Sequence, residues 1–185
     1  MNAASRIAIL GWGSLIPHAR KLCVRVPFVP EGPVLPVEFS RRSDGGRLTL
    51  VIDRRGDPVQ TYFAMATCSS LEEAVESLRR REGKRVTTEQ IGIATRAAVV
   101  RSRDPEAGQV VRDWTAARQF DATIWTDLEA EWPEFTIVRA VAYLQAGNDS
   151  DRTSARRYFE EAPHETDTPL RRHLAGWING GPLPS

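Results

Sequence analysis

Long hydrophobic runs are missing from this chain of 185 residues. No stretch approaches the roughly 18 consecutive apolar residues of a membrane span, so none is expected. Cysteine is scarce: Cys23 and Cys68 are the only two, too few for a disulfide framework. They are expected to be reduced thiols in a cytoplasmic protein, and the opening MNAASRIAIL holds too short an apolar stretch for a secretory signal. Histidine is limited to His18, His164 and His173, without metal-ligand spacing. Neither H-E-x-x-H nor C-x-x-C occurs, so neither a metal nor a cofactor is expected. A net charge of +1 argues against a dedicated nucleic-acid binder.

Lysine is nearly absent too, with only Lys21 and Lys84. Arginine supplies the other positive charges, in pairs or runs at 41–42, 54–55, 79–81, 156–157 and 171–172. The planar arginine fork suits carboxylates and phosphates, although solvated faces balanced by acids are the commoner meaning of such runs. What is present is ordinary for a globule: 41% hydrophobic and 26% charged residues. The length predicts one domain over 1–185, able to bury roughly 70% of its unfolded surface without staples.

Strand signals dominate the first third. Arg6–Leu10 is a short apolar run ending at Gly11. Four prolines over 27–36 suggest irregular or extended chain, and Val34–Phe39 reads as a strand. Asp44-Gly45-Gly46 marks a hairpin whose second arm is Arg47–Asp53, and Val59–Cys68 reads as a further strand. The clearest helix begins at Ser69 or Ser70, with Glu72 or Glu73 completing a capping box. It carries Leu71, Ala74, Val75 and Leu78 at helical spacing and stops at Gly83. Asp104-Pro105 opens another helix. Phe135–Leu144 reads as a strand, Thr153–Glu161 as a helix, and Thr168-Pro169 as the start of a last one. The fold class is therefore α+β with a mixed or antiparallel sheet, open to curling into a barrel.

Two features carry chemistry. The stripe 71, 75, 78 continues in register to Glu82, which aims a carboxylate inward at the last turn. Burial and the negative end of the helix dipole both oppose its ionisation, a setting suited to general acid/base work. A frayed, solvated last turn is the bland alternative. The second feature is the loop Gly11-Trp12-Gly13-Ser14-Leu15 after the first strand. Its glycines permit close approach of a ligand, and successive backbone N–H groups can form an anion nest. It lacks the third glycine of a dinucleotide fingerprint, the Gly-Lys of a phosphate loop and the frame of a nucleophile elbow. A plain tight turn is its bland reading. The five tryptophans, Trp125 and Trp132 among them, are expected as core or groove wall.

Taken together, G-W-G-S-L after a first strand, F-S-R-R-S-D-G-G-R-L-T-L-V, a helix ending L-R-R-R-E-G and a late A-V-A-Y-L resemble the gamma-glutamylcyclotransferase-like superfamily. The stretch 39–51 is similar to its glutathione-specific, cation-transport-regulator-like branch. The resemblance runs from about Arg6 to Leu144 with gaps. It implies a small mixed β-barrel surrounded by helices. Gly11, Trp12, Gly13, Ser14 and Leu15 would hold the γ-glutamyl group, Glu82 would be the acid/base, and Tyr143, on a late strand, would line the pocket. The implied reaction releases 5-oxoproline from a γ-glutamyl amine or peptide, the substrate's own α-amine attacking its γ-carbonyl.

Two departures stand out: Trp12 occupies the family's loop tyrosine position, and 101–134 is longer than the family norm, as an insertion covering the site mouth would be. The alternatives are a catalytically silent small-molecule binder on the same fold, an RNA- or partner-binding module using the arginines, and a hydrolase using Ser14.

Overall fold

A computed structural model describes residues 5–19, 21–43, 46–131 and 135–184. The strands are β1 Ile7–Gly11, β2 Val24–Val29, β3 Val34–Arg42, β4 Leu48–Ile52, β5 Asp57–Gln60, β6 Tyr62–Ala66, β7 Ile91–Thr95, β8 Val99–Arg101 and β9 Ala122–Thr126. The helices are α1 Leu71–Glu82, α2 Pro105–Ala117, α3 Ile137–Ala146, α4 Asp149–Glu161, α5 Pro169–His173 and α6 Ala175–Ile178. They form a six-stranded sheet, order β2-β6-β1-β9-β7-β8, and a three-stranded sheet, order β4-β3-β5. Among the described residues β1 and β9 pair in parallel and the other neighbouring strands pair antiparallel.

The mixed α+β class expected from the sequence is observed. The small closed barrel is not: among the described residues both sheets are open, the larger ending at β2 and β8. A break at Thr61 divides them. The strand expected over 59–68 is in fact two, β5 joining β3 and β6 joining β1 and β2. Between them the Thr61 backbone N–H and hydroxyl both donate to the Pro33 carbonyl, which turns the chain from one sheet to the other.

β1 is buried along its whole length, because side chains alternate between the two faces of a strand. Ile7 and Ile9 join Ala74, Val75 and Leu78 of α1 in one core. Ala8 and Leu10 join the other, with Leu35, Val37 and Phe39 of β3 and Phe159 of α4. Phe39 and Phe159 stack with ring centroids 4.1 Å apart. A buried carboxylate, Glu38, ties the small sheet to the C-terminal helices, accepting from Phe39 N (2.7 Å) and Leu170 N (3.2 Å).

Several sequence expectations need correction. Residues 135–144 do not form a strand. Ile137–Ala146 is helix, capped by the Thr136 side chain, which accepts from Arg139 N, with Ala140, Val141 and Leu144 buried at helical spacing. The four-proline stretch 27–36, expected as irregular or extended chain, is both: it ends the edge strand β2, where proline is tolerated, runs irregularly over 30–33 and enters β3. Within the segment 101–134 lie α2 and the strand β9, the latter between β1 and β7. The cysteines are not free thiols: Cys23 and Cys68 form a disulfide, Cα–Cα 5.8 Å, at the end of the β2–β6 pair where Val24 faces Ala66. Asp44 and Gly45 of the expected hairpin tip, and Trp132, lie outside the described residues, although β3 and β4 pair as its arms should. No helix among the described residues is long and apolar enough to cross a membrane.

Candidate functional site

The site is built where β1 gives out. Beyond Gly11 the chain turns, with Ile16 N donating to Gly13 O and His18 N to Ser14 O. No protein acceptor among the described residues takes the backbone N–H of Gly13, Ser14 or Leu15. Glycine at 13 has a steric reason: a Cβ there would stand 3.1 Å from Leu50 Cδ1 and 3.2 Å from the Tyr158 hydroxyl. Trp12 is buried, its indole N–H donating to the Leu50 carbonyl at 3.4 Å. The Thr166 hydroxyl donates to the Trp12 carbonyl at 3.0 Å. The loop is thereby tied to β4 and to the segment before α5.

The last turn of α1 meets this loop. Ser70 caps the helix, accepting from Glu73 N, and the buried face of Ala74, Val75 and Leu78 seats it. At the far end Gly83 adopts φ 118°, left-handed backbone that glycine favours. This seating carries Glu82 inward, its side chain 16% exposed. Of the flanking arginines, Arg79 and Arg80 turn away to Glu76. Arg81 faces the site. It donates through Nη1 to Glu82 Oε1 (2.9 Å), and through Nη2 to Ser14 O (2.7 Å), Ser14 Oγ (3.3 Å) and His18 O (3.2 Å). One guanidinium thus stitches the acid to the glycine loop.

Gly11–Leu15 and Glu82–Gly83, about seventy residues apart in the chain, line one cavity of about 650 Å³, within the usual range of small-molecule sites. Tyr143 is not in its lining. Since 137–146 is helical, that side chain lies elsewhere, its hydroxyl donating to Gly46 O at 2.6 Å. The tyrosine in the cavity is Tyr158 of α4, buried beside Ala155 and Phe159. Burial pushes its hydroxyl above the ordinary value, against a hydrogen bond with the Ser14 side chain and a contact with the Leu50 backbone. The sequence signal for Tyr158 is a phenol on the apolar face of a helix, a group that needs a polar partner when buried. Arg41, Arg47, Arg85 and Arg157 complete the basic lining, with His18 and Glu161 at 3.2 Å from each other.

No family model, curated protein or solved structure matches the chain.

Among the described residues no group of three or more His, Cys, Asp or Glu side chains is placed to hold a metal ion. The arrangement offers unengaged backbone N–H donors, a largely buried carboxylate and a phenol on one wall of a cavity. Those groups can orient an anionic substrate, stabilise an oxyanion and move a proton.

Proposed function

We propose that the chain is a gamma-glutamylcyclotransferase-like enzyme that releases 5-oxoproline from a γ-glutamyl amine or peptide. The observation that carries this reading is the convergence of the glycine loop and Glu82 in one cavity. In the reaction the substrate's α-amine nitrogen bonds to its own γ-carbonyl carbon. The bond from that carbon to the leaving nitrogen then breaks. Glu82 takes the proton from the attacking amine and returns it to the leaving amine, so no co-reactant is needed. The nucleophile is already tethered, so the enzyme's task is to hold the cyclising conformer. The N–H groups of Gly13, Ser14 and Leu15 supply donors for the substrate carboxylate or the developing oxyanion.

The test is 5-oxoproline release from γ-glutamyl amides by wild type and Glu82→Gln. Loss of a general acid/base lowers kcat by roughly 10²–10⁴-fold, and the amide still accepts from Arg81, so the variant folds. Retained turnover in Glu82→Gln removes Glu82 from the chemistry. Product from neither folded protein, with a γ-glutamyl compound bound, makes the fold a binder.

A further inference from the structure

The cavity has a second wall, and its charge is out of balance. Arg47 immediately precedes β4, its backbone hydrogen-bonded to Ser43, and it lines the cavity together with Thr49 and Val51 of that strand. Arg41 of β3 stands in register with Thr49 and joins them. The whole lining holds five arginines against two glutamates.

Two of those arginines are satisfied by the glutamates themselves: Arg81 by Glu82 and Arg157 by Glu161, each ion pair within 3 Å. Arg41 has only a 4.0 Å approach to Glu131, which sits closer to Arg42 at 3.2 Å. Arg47 pairs with no carboxylate among the described residues and lies over the Tyr158 ring, 5.4 Å from its centroid. That ring carries the hydroxyl that meets the glycine loop at Gly13. Arg47, and Arg41 with only its long approach to Glu131, thus sit next to the reaction wall without belonging to it.

A lone γ-glutamyl group needs one anion subsite for its α-carboxylate, and the glycine loop supplies that. The cations on β3 and just before β4 are surplus to it. Keeping two guanidiniums together in a partly enclosed cavity costs free energy through mutual repulsion, and a bound anion relieves it. Arginine forks engage carboxylates and phosphates in two-point contacts.

Resting on the reaction proposed above, we propose that the leaving amine carries two anionic groups, which Arg41 and Arg47 bind. The chemical class is a γ-glutamyl compound whose leaving amine is an acidic amino acid or acidic peptide.

The test compares kcat/KM for γ-glutamyl derivatives of alaninamide, alanine, glutamate and phosphoethanolamine. These leaving groups carry no anion, one carboxylate, two carboxylates and one phosphate. The glutamate derivative should exceed the alaninamide by on the order of 10–100-fold, the range of one or two charge-assisted hydrogen bonds. That ratio should shrink as salt is raised, a readout that needs no variant. Arg41→Met and Arg47→Met should each bring the ratio toward one, Arg47→Lys should restore part of it, and Arg47→Glu should turn the preference toward the neutral alaninamide derivative.

Equal turnover of neutral and doubly anionic substrates by wild type overturns the inference and leaves the reaction standing. A phosphoethanolamine derivative that beats the glutamate one overturns the two-carboxylate assignment. If no compound yields 5-oxoproline, the reaction is wrong, and calorimetry decides the cation wall separately. Binding of γ-glutamyl-glutamate that weakens about tenfold in Arg47→Met supports it, and absence of binding overturns it.

Discussion

Arg81 joins Glu82 to the glycine loop, and replacing it by methionine has a calculable cost. The guanidinium is 10% exposed and the Glu82 carboxylate 16%, so solvent screens their contact weakly. Removing one partner of a largely buried pair leaves the other charge uncompensated, at about 3–5 kcal/mol. Residual exposure argues for the lower end, about 3 kcal/mol. Arg81 also donates to the Ser14 and His18 carbonyls, and methionine leaves both without that donor. For a chain of this length 3 kcal/mol lowers Tm by roughly 6–12 °C. Urea denaturation should show the midpoint falling with the m-value unchanged. Glu82→Gln alone should cost less, because Arg81 keeps an acceptor and its two carbonyl contacts. The double variant should show a coupling of at least about 1 kcal/mol. A loss below about 0.5 kcal/mol in Arg81→Met, the range of an ordinary surface change, or strict additivity in the cycle, would refute the stitch between α1 and the loop.

Two further outcomes follow from groups outside the site. The Cys23–Cys68 bridge spans 45 residues, so in the chain-entropy view its loss costs about 4 kcal/mol; Cys23→Ser/Cys68→Ser should unfold at lower urea than the oxidised wild type and match the wild type under reductant. Burial pushes the Glu38 carboxyl above its ordinary value, against hydrogen bonds from Thr168, Phe39 and Leu170. The folded state therefore binds that proton more tightly, and the group's contribution is full below the unfolded value and lost as pH rises to the folded one. The wild-type unfolding free energy minus that of Glu38→Gln should fall across that window, and a flat difference refutes the burial argument.

Features written in local chemistry were legible in the sequence. Ser70 and Gly83 bound α1 as capping rules require, Asp104 caps α2 ahead of Pro105, and the 71–82 stripe brings Glu82 inward. Legibility ended where two local signals conflicted or where a contact was long-range. In 135–144, β-branched and aromatic residues spoke for a strand, while Ile137, Ala140, Val141 and Leu144 were spaced for a helix. Tertiary burial of that stripe decided it. The cysteine pairing depended on β2 lying beside β6, which no local pattern announces. The division of 57–66 between two sheets turned on hydrogen bonds from Thr61 to Pro33.

The same distinction bears on Trp12 and Tyr158. Read along the sequence, tryptophan at 12 removes a hydroxyl from the glycine loop. In the fold, the indole is buried and bonded to the Leu50 carbonyl, so it fixes the spacing between the loop and β4. The hydroxyl beside Ser14 comes instead from Tyr158, some 144 residues along the chain from it, at a point where glycine at 13 leaves room. These two aromatic residues, one from each end of the chain, set the distance between the wall that carries Glu82 and the wall that carries Arg41 and Arg47. On the proposed chemistry, that distance decides which leaving group reaches the cations while its γ-carbonyl lies at the glycine loop.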